Sequence, residues 1–389
     1  MLPFVIAGAA MFVLLAGTNL PAPLYAVYQH RFGFSDLVLT LVFATYAAAL
    51  APSLLLFGQL SDRLGRRIVI AGGLGVALVG LVLFALAQGT AWLFVARAVQ
   101  GVAVGAISGT ATAALVELEP GGDRRLAALP AGLAQAGGSA GGAVFAGALA
   151  EWAPAPRVLC YVVWLAVTAA AALGVSRIPE SVASTGRWRP QRPSVGAAIR
   201  RDFTRVSVTA AAVWAVAALF LSVVPSYVTK LLATHDLALV AALSASMLVM
   251  SCCGQLLVLH AVATGRRGQA IGLALLAVGL VVLVLAFPAH SLVLVLVAAV
   301  LAGVGHGVAF VGSQTELNEL APEDRRGEVT AAYVTTIYAA VGASVVGVGV
   351  LTLRVSLFAA VAVFAATIGA AALGTATWHL AGADVRRAR

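Results

Sequence analysis

The sequence predicts an all-α membrane protein in which twelve transmembrane helices form two pseudo-symmetric six-helix bundles. Three observations predict it. Of 389 residues, 61% are apolar and 10% charged, whereas soluble domains are about 45–50% apolar and about 25% charged. Such a chain cannot wrap itself in a polar surface, so a soluble enzyme is excluded. Apolar runs of about 20 residues, the length that crosses a bilayer as a helix, recur along the chain. Landmarks of the first half return in the second at an offset of 200 to 202 positions. A transmembrane barrel is also excluded, because the runs are continuous and not alternating.

The runs place spans at 4–28, 37–60, 68–88, 92–115, 126–150 and 158–176, then at 207–230, 237–262, 269–288, 291–317, 329–352 and 356–380. The first run has no basic segment before it and is too long for a signal peptide, so it reads as a retained helix. Residues 1–176 are then one bundle, 177–206 a basic linker, 207–380 the second bundle and 381–389 a tail. Cys160, Cys252 and Cys253 fall inside apolar runs and read as small core residues, not as a disulfide framework.

Orientation follows from the basic residues in the connections. The even-numbered connections carry Arg63, Arg66, Arg67, Arg124, Arg125, Arg266, Arg267, Arg325 and Arg326. The linker adds Arg177, Arg187, Arg189, Arg192, Arg200, Arg201 and Arg205, and the tail adds Arg386, Arg387 and Arg389, which makes 19 on one side. The other side holds four: Arg31, Arg157, Lys230 and Arg354. Both termini are therefore expected in the cytoplasm of a cell whose inner membrane holds the protein. The net charge of +9 is this bias plus attraction to anionic lipid heads, not a nucleic-acid footprint. Within the linker, Val195, Ile199, Phe203 and Val206 recur at helical spacing between arginines. A short helix on the inner leaflet and a plain basic linker both fit that pattern.

The two halves share landmarks. Gly101 and Gly105 stand 202 positions before Gly303 and Gly307. Gly65-Arg66-Arg67 precedes Gly265-Arg266-Arg267 by 200, and Asp123-Arg124-Arg125 precedes Asp324-Arg325-Arg326 by 201. A duplicated six-helix unit with a site where the halves meet is typical of transporters.

The most specific segment is Gly58-Gln59-Leu60-Ser61-Asp62-Arg63-Leu64-Gly65-Arg66-Arg67, between the second and third spans. Gly58 reads as a helix end open to close backbone approach. Asp62 is one acid among arginines and suits a helix N-terminus. The arginines suit bidentate bonds to carboxylates. Such a turn can latch two bodies on one face and release them. The segment resembles the loop signature of the major facilitator superfamily of secondary transporters, Gly-x-Leu-(Ser/Ala)-Asp-Arg-x-Gly-Arg-(Arg/Lys), and among them bacterial drug and metabolite exporters. The resemblance implies that Asp62 and Arg67 form a latch stabilising the outward-facing state, with Glu117 or Glu119 as partner. Arg97-Ala98-Val99-Gln100-Gly101 is similar to the family's fourth-helix motif, whose arginine is linked to proton coupling. An arginine inside a span normally faces protein or water, although Arg97 is also close enough to a helix end to snorkel. Gly137-Gly138-Ser139-Ala140-Gly141-Gly142 is similar to the antiporter motif Gly-Pro-x-x-Gly-Gly, with Gly138 at the proline position. Its small residues allow close packing in any case. Pro179-Glu180-Ser181 resembles the pattern after the sixth span of sugar porters, which makes Glu180 a further gate partner. Glu316 and Glu319 are the second-half counterparts of Glu117 and Glu119, and are expected to form gate ion pairs.

Polar residues within spans mark the pathway. Asn19, Pro21 and Tyr25 come from the first span, Thr45 and Tyr46 from the second, and Gln135 from the fifth. Trp214 and Ser222 come from the seventh, Tyr333 and Tyr338 from the eleventh. Pro21 and Pro23 free backbone carbonyls that neighbouring helices or water must satisfy. His306 is the one histidine well inside a span. It suits proton coupling or a structural hydrogen bond. Arg97, Gln100 and His306 are thus the coupling candidates. No carboxylate lies at mid-span, which leaves neutral or anionic substrates open. No catalytic motif and no metal or cofactor site is present in the sequence. The expected function is secondary transport of a small organic molecule by alternating access in a lipid bilayer, by a monomer, in the direction of efflux with protons as candidate coupling ion. Uptake of a sugar or other metabolite is the alternative, and a non-transporting membrane sensor or scaffold is the alternative of another class.

Overall fold

The computed structural model describes residues 1–119, 121, 124–180, 195–234, 236–259, 265–322 and 326–387, with the side chains of Asp36, Gln59, Asp62, 124–128, Leu259, 326–328 and 382–387 outside that description. The described residues form fourteen helices: α1 (Leu2–Asn19), α2 (Tyr25–Phe32), α3 (Asp36–Leu64), α4 (Arg66–Ala85), α5 (Thr90–Glu117), α6 (Arg124–Trp152) and α7 (Leu159–Val175), then α8 (Arg200–Ser222), α9 (Val224–Leu232), α10 (Leu237–Leu259), α11 (Gly265–Ala286), α12 (Leu292–Leu320), α13 (Arg326–Leu351) and α14 (Leu357–Arg387). Ten of them are long and apolar enough to cross a membrane; α7, also apolar, has 17 residues. Valines and leucines such as Val79, Val95, Val162, Val281, Leu285 and Val293 are exposed on the outer faces. Water would not tolerate so much apolar surface, whereas lipid does.

The excess over the twelve expected helices comes from two breaks. The run 4–28 is not one helix, because Pro21 and Pro23 supply no N–H. The chain turns instead, with Ala22 N donating to the Asn19 carbonyl and Leu24 N to the Pro21 carbonyl. The run 207–230 is likewise divided, at Val223, just before Pro225. Pro23 and Tyr25 recur 202 positions later as Pro225 and Tyr227, so both first helices of the repeat break at equivalent places. Both short helices end on a left-handed residue, Gly33 and Ala233.

The expected linker is also shorter than 177–206. α8 begins at Arg200, and Phe203 and Val206 are buried against the core while Val195 and Ile199 pack beside them. One face of this segment therefore packs against protein. Arg205, grouped above with the linker arginines, is 2% exposed. At the other end, α14 continues past residue 380 to Arg387.

Helices of the first half pack mainly among themselves, as do those of the second. α5 lies between α3 and α4, and α12 between α10 and α11. The crossings repeat. A methyl on Gly101 or Gly105 would meet the Tyr46 or Leu50 carbonyl of α3, and one on Gly303 or Gly307 would meet the Met247 or Ser251 carbonyl of α10. Gly73 touches Ile107 across α4 and α5 as Gly272 touches Ala309 across α11 and α12. Small residues bring backbones together where lipid provides no hydrophobic drive for association. The halves meet along α6 with α10 and along α3 with α13. Gly147 abuts Ala241, Gly349 abuts Thr40, and the rings of Tyr46 and Tyr338 meet edge to face at 6.0 Å.

Candidate functional site

The break in α1 creates the site's first feature. In an uninterrupted helix the Gly17 carbonyl accepts from residue 21 and the Thr18 carbonyl from residue 22. Residue 21 is proline, and the Ala22 N–H has turned to Asn19. Both freed carbonyls are taken by α5. Gln100 Nε2 donates to the Gly17 carbonyl at 3.3 Å, and Arg97 NH1 donates to the Thr18 carbonyl at 3.0 Å and to Gln100 Oε1 at 3.0 Å. The Arg97 guanidinium, 2% exposed, also sits 4.9 Å from the Phe43 ring and 4.7 Å from the Tyr46 ring. Arg97 therefore points into protein and does not snorkel.

A cavity of about 90 Å³ lies beside this anchor, between the halves. Its walls follow the repeat. Leu15, Asn19, Ser108, Thr112, Gln135 and Ser139 line it from the first half. The positions 202 later, Ala217, Leu221, Phe310, Gln314, Ile337 and Val341, line it from the second. Polar side chains dominate the first set and apolar ones the second.

Of the residues expected in the pathway, Asn19, Tyr46, Gln135, Trp214, Tyr333 and Tyr338 line the cavity, together with Arg97. The Tyr333 hydroxyl pairs with Ser313 Oγ at 2.8 Å, and Asn19 Nδ2 donates back to the Leu15 carbonyl at 2.9 Å. The others do not line it. Thr45 and Ser222 donate their hydroxyls to carbonyls of their own helices, at Leu41 and Ala218. Pro21 and Tyr25 are buried in the turn and at the start of α2. The hydroxyls of Thr45 and Ser222 thus serve their own helices, which composition does not distinguish from a pathway role. His306 is fully buried behind the cavity wall. Its Nδ1 lies 2.8 Å from Ser251 Oγ, and its ring meets the Trp214 ring edge to face at 5.3 Å. Gln255 Nε2 extends that chain to the Gly132 carbonyl of the other half at 3.4 Å. Gln314 and Thr330 line the cavity without having been expected to.

At the arginine-bearing end each half has an ion pair between the first residues of one helix and the last turn of another. Arg66 donates to Glu117 Oε1 through Nε at 3.2 Å and NH2 at 3.0 Å, and to Ser61 Oγ through NH1 at 2.6 Å. It is thus Arg66 that makes the described bond to Glu117, where the resemblance implied Arg67. The Arg66 backbone N–H donates to Glu180 Oε1 at 2.7 Å. That carboxylate packs on Gly65, whose φ of +100° and lack of a side chain both suit the contact. Gly58 is not a helix end, since α3 runs on to Leu64, and no described atom would meet a methyl there. The Asp62 side chain is outside the described residues, and Arg63, Glu119 and Glu319 lie around this end without entering the cavity. In the second half Arg266 Nε donates to Glu316 Oε1 at 3.2 Å and its NH2 to Asp202 Oδ1 at 3.0 Å. Arg205 pairs with the same two acids, and Gln269 Nε2 donates to Glu316 Oε2 at 2.8 Å. This four-charge cluster has no equivalent in the first half among the described residues.

A family model described as Major Facilitator Superfamily matches residues 7–347. The chain belongs to the major facilitator superfamily. It is accordingly an integral membrane protein of a family of transporters. The crystal structure of a D-xylose-proton symporter superposes with a TM-score of 0.77, covering 97% of this chain and 96% of that one at 16% identity, a likeness of fold. A puromycin resistance protein of Streptomyces alboniger is 38% identical over 151 residues, 38% of this chain and 29% of that protein. An MFS-type transporter of Mycobacterium tuberculosis is 48% identical over 67 residues, 17% of this chain and 10% of that protein. The matched stretches thus span less than a third of the length of these curated relatives. Arg66, in the segment Gly58 to Arg67, is thus paired with Glu117 at the end of α5.

Proposed function

We propose that the protein is a secondary transporter of twelve spans in two six-helix halves that exposes its central cavity alternately to the two sides of the inner membrane. The observation that carries this reading is the cavity lining, in which six positions of one repeat and their counterparts 202 residues later form facing walls. A site built from equivalent surfaces of two bodies opens to either side when the bodies rock. The basic end, with both termini, is the cytoplasmic one by the charge bias. The signature loop, Gly58 to Arg67 with Asp62 at its centre, and the acids Glu117, Glu119, Glu180, Glu316 and Glu319 form the gate on that side. Export of a small organic compound is the favoured direction, supported by the similarity to a resistance protein. Arg97, Gln100 and His306 are the groups through which protons would couple to it.

Proteoliposomes test this. Purified protein should move at least one class of solute, among drugs, sugars, amino acids and organic acids, faster than empty liposomes do. An imposed pH gradient should change the rate. The Asp62→Asn variant should insert and fold but lose flux. Absence of flux for every class in the presence of folded protein would contradict the reading.

A further inference from the structure

We infer that the central cavity takes an amphipathic organic anion, with its acidic group at Arg97 and its apolar body on the wall of the second half. The inference rests on the transport reading and names the substrate class of that site.

Arg97 carries the argument. It lines the cavity, is 2% exposed, and has no carboxylate within ion-pair distance among the described residues. A buried charge without a counter-charge is costly. The ring faces of Phe43 and Tyr46 offset part of that cost. Capping the Thr18 carbonyl occupies NH1 but does not call for a charge, since the neutral amide of Gln100 does the same for Gly17. The Nε–H has no acceptor among the described residues. The position 202 residues later is Ala299, so the cation stands in one half of the repeat only. Among the described residues, none of the other cavity-lining side chains is an Asp, Glu, Lys, Arg or His. In such a low-dielectric space an anion is strongly favoured and a cation opposed.

The walls then define the rest of the molecule. Asn19, Thr112, Gln135 and Ser139 share Arg97's side, while Leu221, Phe310 and Ile337 are among the residues facing them. A ligand polar at one end and apolar at the other matches both.

Three probes of one shape decide: 4-tert-butylbenzoate, its amide, and 4-tert-butylbenzylamine, each assayed by equilibrium dialysis and thermal unfolding of the purified protein. The benzoate should bind at least about tenfold more tightly than the other two, and alone raise the unfolding temperature. In Arg97→Gln, which keeps a donor for Thr18, that preference should vanish, and in Arg97→Lys it should persist. Equal or tighter binding of the amide or amine to the unaltered protein would overturn the inference whatever the variants do, as would an acid preference surviving in Arg97→Gln. Transport is scored separately. Acid-selective binding without flux of any solute defeats the transport reading and not this one, and flux of other solutes without acid binding does the reverse.

Discussion

Arg97 and Thr18 are joined by a hydrogen bond from the guanidinium to a backbone carbonyl at 3.0 Å, and that carbonyl is available because the chain breaks after α1, where the Ala22 N–H turns to Asn19 beside Pro21. The link ties the fourth-helix motif to the broken first helix. It also accounts for Ala302 in the second half where the first has Gln100. Position 223, the equivalent of Pro21, is a valine whose N–H bonds normally to the Leu219 carbonyl, so the counterpart of the Gly17 carbonyl needs no side-chain cap.

Gln100→Leu should therefore destabilise the protein by about 1–3 kcal/mol, the cost of a buried carbonyl left without a donor. In a Pro21→Ala background the N–H of residue 21 can serve Gly17 and the cost should shrink. Reversible unfolding in detergent measures the coupling in a double-mutant cycle. Equal costs in both backgrounds would show that Gln100 does not act through the break.

The paired helix crossings make a second prediction. Gly105→Ala and Gly307→Ala push a methyl against the carbonyls of Leu50 and Ser251. Each should destabilise by about 1–3 kcal/mol through overpacking. Gly72→Ala and Gly75→Ala, where no described atom lies within 4 Å, should be neutral or slightly stabilising. Thermal unfolding of the four variants checks it.

Two kinds of ion pair at the arginine-bearing end should behave differently. Glu316 serves two guanidiniums, one of them 2% exposed. Glu316→Gln leaves buried cations short of charge and should destabilise by about 3–5 kcal/mol. Glu117 is 33% exposed in its pair with Arg66, and Glu117→Gln should alter stability by less than about 1 kcal/mol. Its effect should fall on flux instead, which stability and transport assays on the same preparations separate.

How much of this could be read from the chain depended on which physical rule spoke alone. The glycine pairs at 101, 105, 303 and 307 announced a repeated close crossing, because only backbone approach requires them in both halves. The cost of a lipid-facing charge left two positions open for Arg97, burial in protein and snorkelling, and the structure shows burial. Pro21 and Pro23 announced freed carbonyls, but whether a helix bends or breaks depends on neighbours, here Arg97 and Gln100 seventy-odd residues away. Arg205 read as one more basic linker residue, since nothing local distinguishes it from Arg200 or Arg201; its partner Glu316 is 111 positions off. Thr45 and Ser222 read as pathway residues, although a hydroxyl in a helix has its own carbonyl four residues back as a competing acceptor.

The central claim is that one cavity reaches both sides of the membrane in turn. A single cysteine at Gln135, in protein lacking Cys160, Cys252 and Cys253, is placed to report it, because Gln135 lines the cavity. Membrane vesicles of each orientation are exposed to an impermeant maleimide. The account predicts labelling from both sides, with the balance shifted by a transported solute. Labelling from one side alone, whatever solute is present, would contradict it.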